Sequence, residues 1–453
     1  EWSTKLDMGV TYDASLNLER LELSEENFLG RGIFAEFQHH QRRETKAQSF
    51  ALATPRLFGR ADARIQVGRD RPGRFFNEYV RYPFIGETGR YSLRQGYSRG
   101  TTYFAYGTDE SRAFSQVLVP QYREVVELSA AQRFGSPGRS WIAGITVARD
   151  IIRYPAGAGV AFGVDSEARQ PFPGPLPAEG AAQLSESGAT RVSLHLGTRR
   201  FRYEEMEGID GLRDRLLVGV GFFAGDSLGR GFALLLPDGV PGVDDAFGRA
   251  HATFGAPVGS SLLHGVFTIE SRRDRERWQD VLFDGDLVAW LRNDDLRSHT
   301  LFLRASVAGG WRMTTPFQMG LGGREGIRAR PEDRFPGGRM TRFVIEDRIL
   351  FPWPRVGTAD LGMTVFADIG RIWPGDVPYG VDSGWQSGVG MGLRIGLPSR
   401  TRSVFRLDAA VPVGSVGGDP VFRFTVEVNR PRTGFFTPDV QRSRRYDLGA
   451  DHF

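Results

Sequence analysis

The chain has 453 residues, 58 Lys and Arg against 54 Asp and Glu, a formal net charge of +4 and no cysteine. Lacking cysteine, it has neither structural disulfides nor thiolate metal sites. The cations are nearly all arginine and are interleaved with Asp and Glu along the chain, not gathered on one face, which argues against a nucleic-acid partner.

No run of about 18 apolar residues is present, so no transmembrane helix is expected. The opening residues Glu1-Trp-Ser-Thr-Lys5 carry no apolar leader, and we expect the chain to be part of a longer precursor. Glycine is abundant at 58 residues and the aromatic fraction is 12%, which points to strands and turns.

In chain order, the first predicted strand carries Leu6, Met8, Val10 and Tyr12 on one face. Its successor leads into the turn-like segment Ser24-Glu-Glu-Asn-Phe-Leu-Gly-Arg-Gly32. His39 and His40 are adjacent on a predicted strand, so they point to opposite faces and do not chelate a metal together. Ala61, Ala63, Ile65 and Val67 alternate with Asp62, Arg64, Gln66 and Gly68. Ser136-Pro137-Gly138 reads as a tight turn. Beyond it, Trp141, Ala143, Ile145 and Val147 alternate with Gly144 and Thr146. A period of two places one strand face in apolar and the other in polar surroundings.

The segment 165–190 lacks any period and reads as a long loop, and so does 238–249 with Asp238, Asp244 and Asp245. Clustered carboxylates suit a hard cation, but solvated loop charges are the expected reading. Between these loops, His195 and Ser193 share an inward strand face, a pairing that hydrolases use; we take it as coincidental and expect no enzyme activity. The run Ser271–Asp280, SRRDRERWQD, reads as a solvated turn or an inner polar face.

The stretch 320–338 holds six glycines, four arginines and two prolines. It has neither the preceding strand, the following helix nor the Gly-Lys-Ser/Thr of a phosphate-cradling loop. After it come Val344-Ile-Glu346-Asp-Arg348, then Phe366-Ala-Asp368-Ile-Gly370. Strict alternation resumes in 388–397 and 405–411. It ends in Phe422, Phe424, Val426 and Val428 against Arg423, Thr425, Glu427 and Asn429. Pro431 stops ladder pairing, and 431–453 reads as a patternless C-terminal tail.

Polar strand positions rich in Arg, Asp and Glu, with aromatics near strand ends (Trp353, Trp373, Trp385), are the pattern of a transmembrane β-barrel: apolar toward lipid, polar toward a wet lumen. Only a closed barrel satisfies strand backbones in lipid. We expect an all-β fold, a transmembrane antiparallel β-barrel of about 16 strands over 1–430, in the bacterial outer membrane.

Four pieces, in order, resemble the BamA/TamA family of outer-membrane assembly barrels, also called the bacterial surface antigen family. Ser24–Gly32 resembles its early D-N-hydrophobic-L-G-x-G turn. Leu321 to Arg330, with Gly322, Gly323 and Ile327, resembles its sixth extracellular loop. Phe366-Ala-Asp368-Ile-Gly370 matches its F-x-D-x-G strand, and 388–398 with 406–412 resembles its closing strands. The resemblance implies that loop 320–338 folds back into the lumen. There Arg328 would be locked to Asp368, or to Glu346 as second choice. Where the family carries Gly and an aromatic residue after the arginine, this chain has Ala329 and Arg330.

The resemblance further implies a protein that inserts or moves polypeptides at the outer membrane. Its seam would lie between the first strand (Leu6, Met8, Val10) and the last (Phe424, Val426). Its partners would be outer-membrane lipid and lipopolysaccharide, client polypeptides, and periplasmic or lipoprotein partners, with no cofactor, no metal and no nucleic acid. No POTRA domain, which the family carries ahead of its barrel, is expected in this chain. The alternative is a passive pore or a structural barrel within a larger envelope complex.

Overall fold

The computed structural model describes residues 4–427 apart from 13–15, 43–44, 71, 110–113, 156–159, 164–170, 173–177, 182, 210, 276, 294–297, 324–325, 332–333, 354–357, 401–403 and 415–419. The predicted tail 431–453 lies outside the described residues.

The first third of the chain forms β1 (Thr4–Tyr12), β2 (Leu16–Phe28), β3 (Ile33–Arg42), β4 (Thr45–Leu57), β5 (Ala61–Asp70), β6 (Gly73–Tyr82), β7 (Tyr91–Gly107), β8 (Phe114–Ser136) and β9 (Arg139–Arg153). Then come β10 (Val160–Gly163), β11 (Pro171–Phe172), the single-turn helix α1 (Ala178–Ala181), β12 (Ser187–Glu207), β13 (Arg215–Phe232), β14 (Asp245–Val258), β15 (Ser261–Asp274), β16 (Arg277–Arg292) and β17 (His299–Trp311). The remainder is β18 (Met319–Leu321), β19 (Phe335–Gly337), β20 (Arg339–Leu350), β21 (Asp360–Trp373), β22 (Gln386–Gly396), β23 (Val404–Val413) and β24 (Val421–Glu427).

The fold is all-β: among the described residues there is one large antiparallel sheet of 22 strands, plus the separate two-stranded hairpin β18–β19. Of the 22, β10 and β11 form a side hairpin on β8. The others follow one another in the ladder, and β24 pairs in turn with β1, Met8 lying opposite Val426 and Val10 opposite Phe424. The strand count exceeds the expected 16. The expectation spread the strands evenly, whereas six strands are packed into the first 82 residues with connections of only a few residues.

Antiparallel succession sends connections alternately to two ends. One, the loop end, holds 154–186, 233–244, 312–338 and 374–385; the other, the turn end, holds tight links such as 29–32, 58–60 and 137–138. At 29–32 the backbone turns left-handed at Leu29 (φ 57°), Gly30 (68°) and Gly32 (65°), and the Gly32 amide donates to the Asn27 side-chain oxygen at 2.7 Å. This is the physical content of the Asn-Phe-Leu-Gly-Arg-Gly segment: a short amide oxygen replaces a missing ladder partner where only glycine is comfortable.

The two sheet faces are inverted relative to a water-soluble protein. Thr146, Asp284, Glu346, Asp368 and Arg394 are buried on the inner face, while Leu194, Leu196, Ile345 and Met391 on the outer face are 55–65% exposed. The inward residues are held by cross-strand polar contacts, because a charge out of water without a partner costs several kcal/mol. His195 illustrates this: its Nε2 bonds to Thr146 Oγ1 and its Nδ1 to Ser227 Oγ, both at 2.7 Å, so its ring is engaged away from Ser193.

One sequence reading is corrected here, and another is decided between its two alternatives. The 238–249 segment is not one solvated acidic loop: β14 begins at Asp245, which is fully buried between Arg191 (2.5 Å) and Arg272 (3.0 Å). Asp244 instead accepts the Ala233 amide at 2.8 Å. For Ser271–Asp280 the structure takes the second of the two readings, an inner polar face, at Arg272 and Asp280. The segment forms the paired ends of β15 and β16, with Arg272 and Asp280 buried and ion-paired to each other. Mixed charges on a strand read as solvated only when the polar face looks at bulk water, and here it faces the interior. The third loop reading, 165–190, contains α1 and yields to β12 at Ser187.

Candidate functional site

The connection from β17 to β20 does not project outward. Phe317, Met319, Leu321 and Ile327 are completely buried. With Ala329 they form one apolar cluster against the wall residues Leu282, Ala308, Met340, Phe366, Ile372 and Ala410. Burying this apolar surface is the main attraction holding the loop against the wall, at roughly 25 cal/mol per Å².

The glycines make the fold-back sterically possible. A Cβ on Gly322 would sit 2.1 Å from the Pro331 carbonyl oxygen, and one on Gly326 would sit 2.3 Å from the Gly322 nitrogen. Gly323 has φ 74° and donates its amide to the Arg330 carbonyl at 3.0 Å. Arg330 in turn donates to the Ile327 carbonyl at 3.0 Å, closing a tight turn with Arg328 at its tip.

Arg328 meets both acidic residues singled out in the sequence. Its Nε and backbone amide donate to Asp368 Oδ2 at 2.9 and 3.1 Å, Nη2 donates to Asp368 Oδ1 at 2.7 Å, and Nη1 donates to Glu346 Oε2 at 2.7 Å. The guanidinium carbon lies 3.4 Å from the centroid of the Phe366 ring. A planar fork donating to two carboxylates while stacked on an aromatic face is a geometry that arginine provides and lysine does not.

The Phe-x-Asp-x-Gly spacing on β21 follows from the strand period. Phe366, Asp368 and Gly370 all face inward. The first stacks on Arg328 and the second pairs with it. The third leaves room for Leu321, whose Cδ1 would lie 3.1 Å from a Cβ added there.

Glu346 is shared further. Arg348 reaches it at 2.9 Å and Arg406 at 3.4 Å, and Arg406 also reaches Asp408 at 3.2 Å. Three guanidiniums around one buried carboxylate, with Asp368 and Asp408 beside them, form a continuous ionic layer across β20, β21 and β23.

Several functional contacts carried no sequence signal. Arg330 is buried and bonds to Gln386 at 3.0 Å, and Ala329 packs so closely on β22 that a Cβ on Gly388 would lie 2.4 Å from its own. Gln318 accepts the Gly107 amide at 2.7 Å and donates to the Gly107 and Pro378 carbonyls at 3.0 and 2.9 Å. This ties the loop to β7, which is separated from β17 by β8, β9 and β12–β16. Thr314 is held by Asp280, which accepts its amide at 2.6 Å. A lone Gln or Asp in sequence does not reveal a partner 211 or 34 residues away.

The seam residues fall as follows. Among the described residues, which end at Glu427, β1 and β24 are joined by five residue pairs, Met8–Tyr12 with Phe422–Val426. Met8, Val10, Phe424 and Val426 take part in them. Leu6 is paired with Leu23 on β2, and the position opposite it across the seam lies outside the described residues.

No family model matches the chain, and no curated relative matches it. Solved structures do. CdiB from Acinetobacter baumannii aligns over 94% of this chain and 65% of its own, at 12% identity and a TM-score of 0.40. CdiB from Escherichia coli aligns over 94% and 63%, at 13% identity and a TM-score of 0.43. The outer membrane protein OpdK from Pseudomonas aeruginosa aligns over 93% of this chain and 96% of its own, at 14% identity and a TM-score of 0.37. The chain thus spans slightly less than two thirds of the length of the two CdiB chains.

Proposed function

We propose that this chain is a bacterial outer-membrane β-barrel of the assembly and translocation type, inserting or moving polypeptides through the seam between β1 and β24. The observation that carries the reading is the inward-folded loop 320–338, with Arg328 joined to Asp368 and Glu346.

Membrane residence is supported by the outer face. On β9 the outward residues between Arg139 and Arg149 are Trp141, Ala143, Ile145 and Val147; the three large ones are 43–64% exposed. Ten residues of a tilted strand span about 25 Å, the height of the apolar band of outer-membrane barrels. Val192, Leu194 and Leu196 on β12 and Val389, Met391 and Leu393 on β22 extend the band sideways. Toward the loop end it gives way to charge, where Arg149 pairs with Glu124 at 2.7 Å and Tyr122 donates to Glu124 at 2.7 Å. Asp226 on β13 and Asp347, the latter bonded to His299 at 2.9 Å, interrupt it. In such a setting lipid and lipopolysaccharide are the surrounding medium.

The seam reading is supported by the pairing of the first strand of the sheet with the last, β1 with β24. Parting it exposes unpaired N–H and C=O groups on two strand edges, the template that an incoming strand completes by β-augmentation. No covalent step and no cofactor enter this scheme. A passive pore is the weaker reading, because the loop is fixed to β7, β16, β20 and β21 and obstructs the interior.

The chain has no native cysteine, so Met8→Cys with Val426→Cys is a clean probe. Oxidation should link the two strands, and the linked protein, reconstituted in lipid vesicles, should lose the ability to accelerate insertion of an unfolded outer-membrane client, with recovery on reduction. Undiminished acceleration by fully linked protein overturns the seam mechanism.

A further inference from the structure

The first two hairpin tips at the turn end are built alike. Phe28-Leu-Gly-Arg31 closes β2–β3, and Leu57-Phe-Gly-Arg60 closes β4–β5. In each, the glycine amide donates to the carbonyl three residues before it, Gly30 to Asn27 at 2.9 Å and Gly59 to Arg56 at 3.1 Å. In each, the residue ahead of that glycine is also left-handed, Leu29 at φ 57° and Phe58 at φ 50°. Glycine and asparagine adopt that conformation readily, whereas a large apolar residue does so under strain.

Neither side chain is compensated within the described chain. Phe58 is 94% exposed and Leu29 64%. A Cβ on Gly30, Gly32 or Gly59 would meet nothing within 4 Å, so no other described segment closes on the tips. Strain retained beside an exposed apolar side chain points to a contact outside the chain.

The position of the tips says what that contact is. They end the outward apolar band of β2–β5, where Leu23, Phe37, Phe50 and Val67 lie opposite one another across the four strands and are 37–49% exposed. On β5, Arg60 and Arg69 bracket the outward residues Ala61, Ala63, Ile65 and Val67, as Arg139 and Arg149 bracket those of β9. Leu29 and Phe58 therefore stand at the edge of the band, the level at which outer-membrane barrels place interfacial aromatics. Arg31, Arg56 and Arg60 beside them are exposed, and none of the three is within ion-pair distance of a carboxylate among the described residues. Three carboxylates of the same end are engaged elsewhere: Glu25 by Thr4 Oγ1 and the Asn27 amide, Asp62 by Arg81 and Glu87 by Arg199.

We propose that the two tips dock into the phospholipid headgroup layer at the turn end, with Leu29 and Phe58 in its apolar margin and Arg31, Arg56 and Arg60 on lipid phosphates. A guanidinium takes phosphate by paired, charge-assisted hydrogen bonds, and an apolar side chain beside it gains by leaving water. The proposal rests on membrane residence and not on the seam mechanism.

Because the chain has no native cysteine, the test can place one environment-sensitive fluorophore at a time, at Phe58→Cys or at Ile65→Cys. The labelled full chain is reconstituted in phosphatidylcholine vesicles with and without phosphatidylglycerol, and heat-resistant mobility establishes that each variant is folded. Ile65 lies within the band and reports on membrane residence itself. Nitroxide on the lipid headgroup should quench the label at 58 more strongly than nitroxide deep in the acyl chains, with the reverse order at 65, and iodide in the water should reach neither. Phosphatidylglycerol should increase the shielding at 58, and Arg56→Gln with Arg60→Gln should remove that increase. A label at 58 open to iodide while the label at 65 is shielded overturns the docking. A label at 65 open to iodide overturns membrane residence as well. Shielding at 58 that ignores phosphatidylglycerol, or survives unchanged without the two arginines, overturns the phosphate contact. Leu29→Asn with Phe58→Asn separates lipid contact from a purely structural role. Asparagine suits the left-handed backbone, so tips lying in water should become more stable, whereas tips lying in lipid should lose stability, read as a lower urea midpoint in vesicles. A raised or unchanged midpoint overturns the proposal.

Discussion

Arg328 shows how one side chain fixes a long loop. It donates to two buried carboxylates and stacks on Phe366, so removing it strands the negative charge of Asp368 and leaves Glu346 with fewer partners. Breaking a buried pair from one side costs about 3–5 kcal/mol. Arg328→Ala should therefore lose heat-resistant mobility at a lower temperature than the parent. Asp368→Asn should do likewise, and the double variant should cost less than the two singles together by at least about 1 kcal/mol. Additive costs would mean that the contact contributes no coupling. Lysine at 328 should not rescue, because a point charge cannot serve two carboxylates and a ring face at once. Arg328, Asp368 and Glu346 were singled out in the sequence by the family resemblance and not by any spacing between them. Gln318, which holds the same loop to β7, was not: its contacts depend on how the sheet curves, and nothing local to Gln318 encodes that.

At the scale of strands, the period of two made most elements legible, and its failures are informative. On β13, Leu216, Val218 and Val220 face inward, but beyond Gly221 the inward residues are Gly225 and Ser227, so the facing parity switches. Gly221 stands at that switch with φ 135°, where an added Cβ would fall 2.1 Å from the Arg200 carbonyl oxygen. Alternation counted through this point would assign one half of the strand to the wrong face. The local sequence Val-Gly-Val-Gly-Phe-Phe does not say which glycine carries the switch, because the conformation is set by the partner strand. Gly221→Ala should destabilise by roughly 2 kcal/mol or more, from both the left-handed backbone and the collision, while Gly219→Ala, whose Cβ would meet only ring carbons 4.0 Å away, should cost less than about 1 kcal/mol. Urea unfolding of the pair in detergent measures the difference. Equal costs would place the switch elsewhere.

For the whole molecule, the question is whether the interior is a conduit. Composition and alternation made legible the inside-out distribution of polarity, and the resemblance located the loop, but neither reveals how the loop is fixed. Its attachments lie on separate walls: Thr314 to Asp280 on β16, Gln318 to Gly107 on β7, Arg328 to β20 and β21, Arg330 to Gln386 on β22. A loop hinged at one wall can swing aside, whereas one tied to several can leave only if its bonds break together. In planar bilayers the parent should therefore pass small, irregular currents. Deleting 322–334 removes Arg328 and Arg330 with the apolar tip around Ile327 and keeps the β17 and β20 ends. It should produce larger, ohmic steps, provided the deleted protein still shows heat-resistant mobility. Replacing Gln318 with Ala breaks only the tie to β7 and should leave the currents small, because the remaining ties still hold. Large steady steps from the parent would make the chain a pore despite its inserted loop. Unchanged small currents after the deletion would mean that something other than 322–334 obstructs the interior, with the inward-packed turn at 208–214 the next segment to remove.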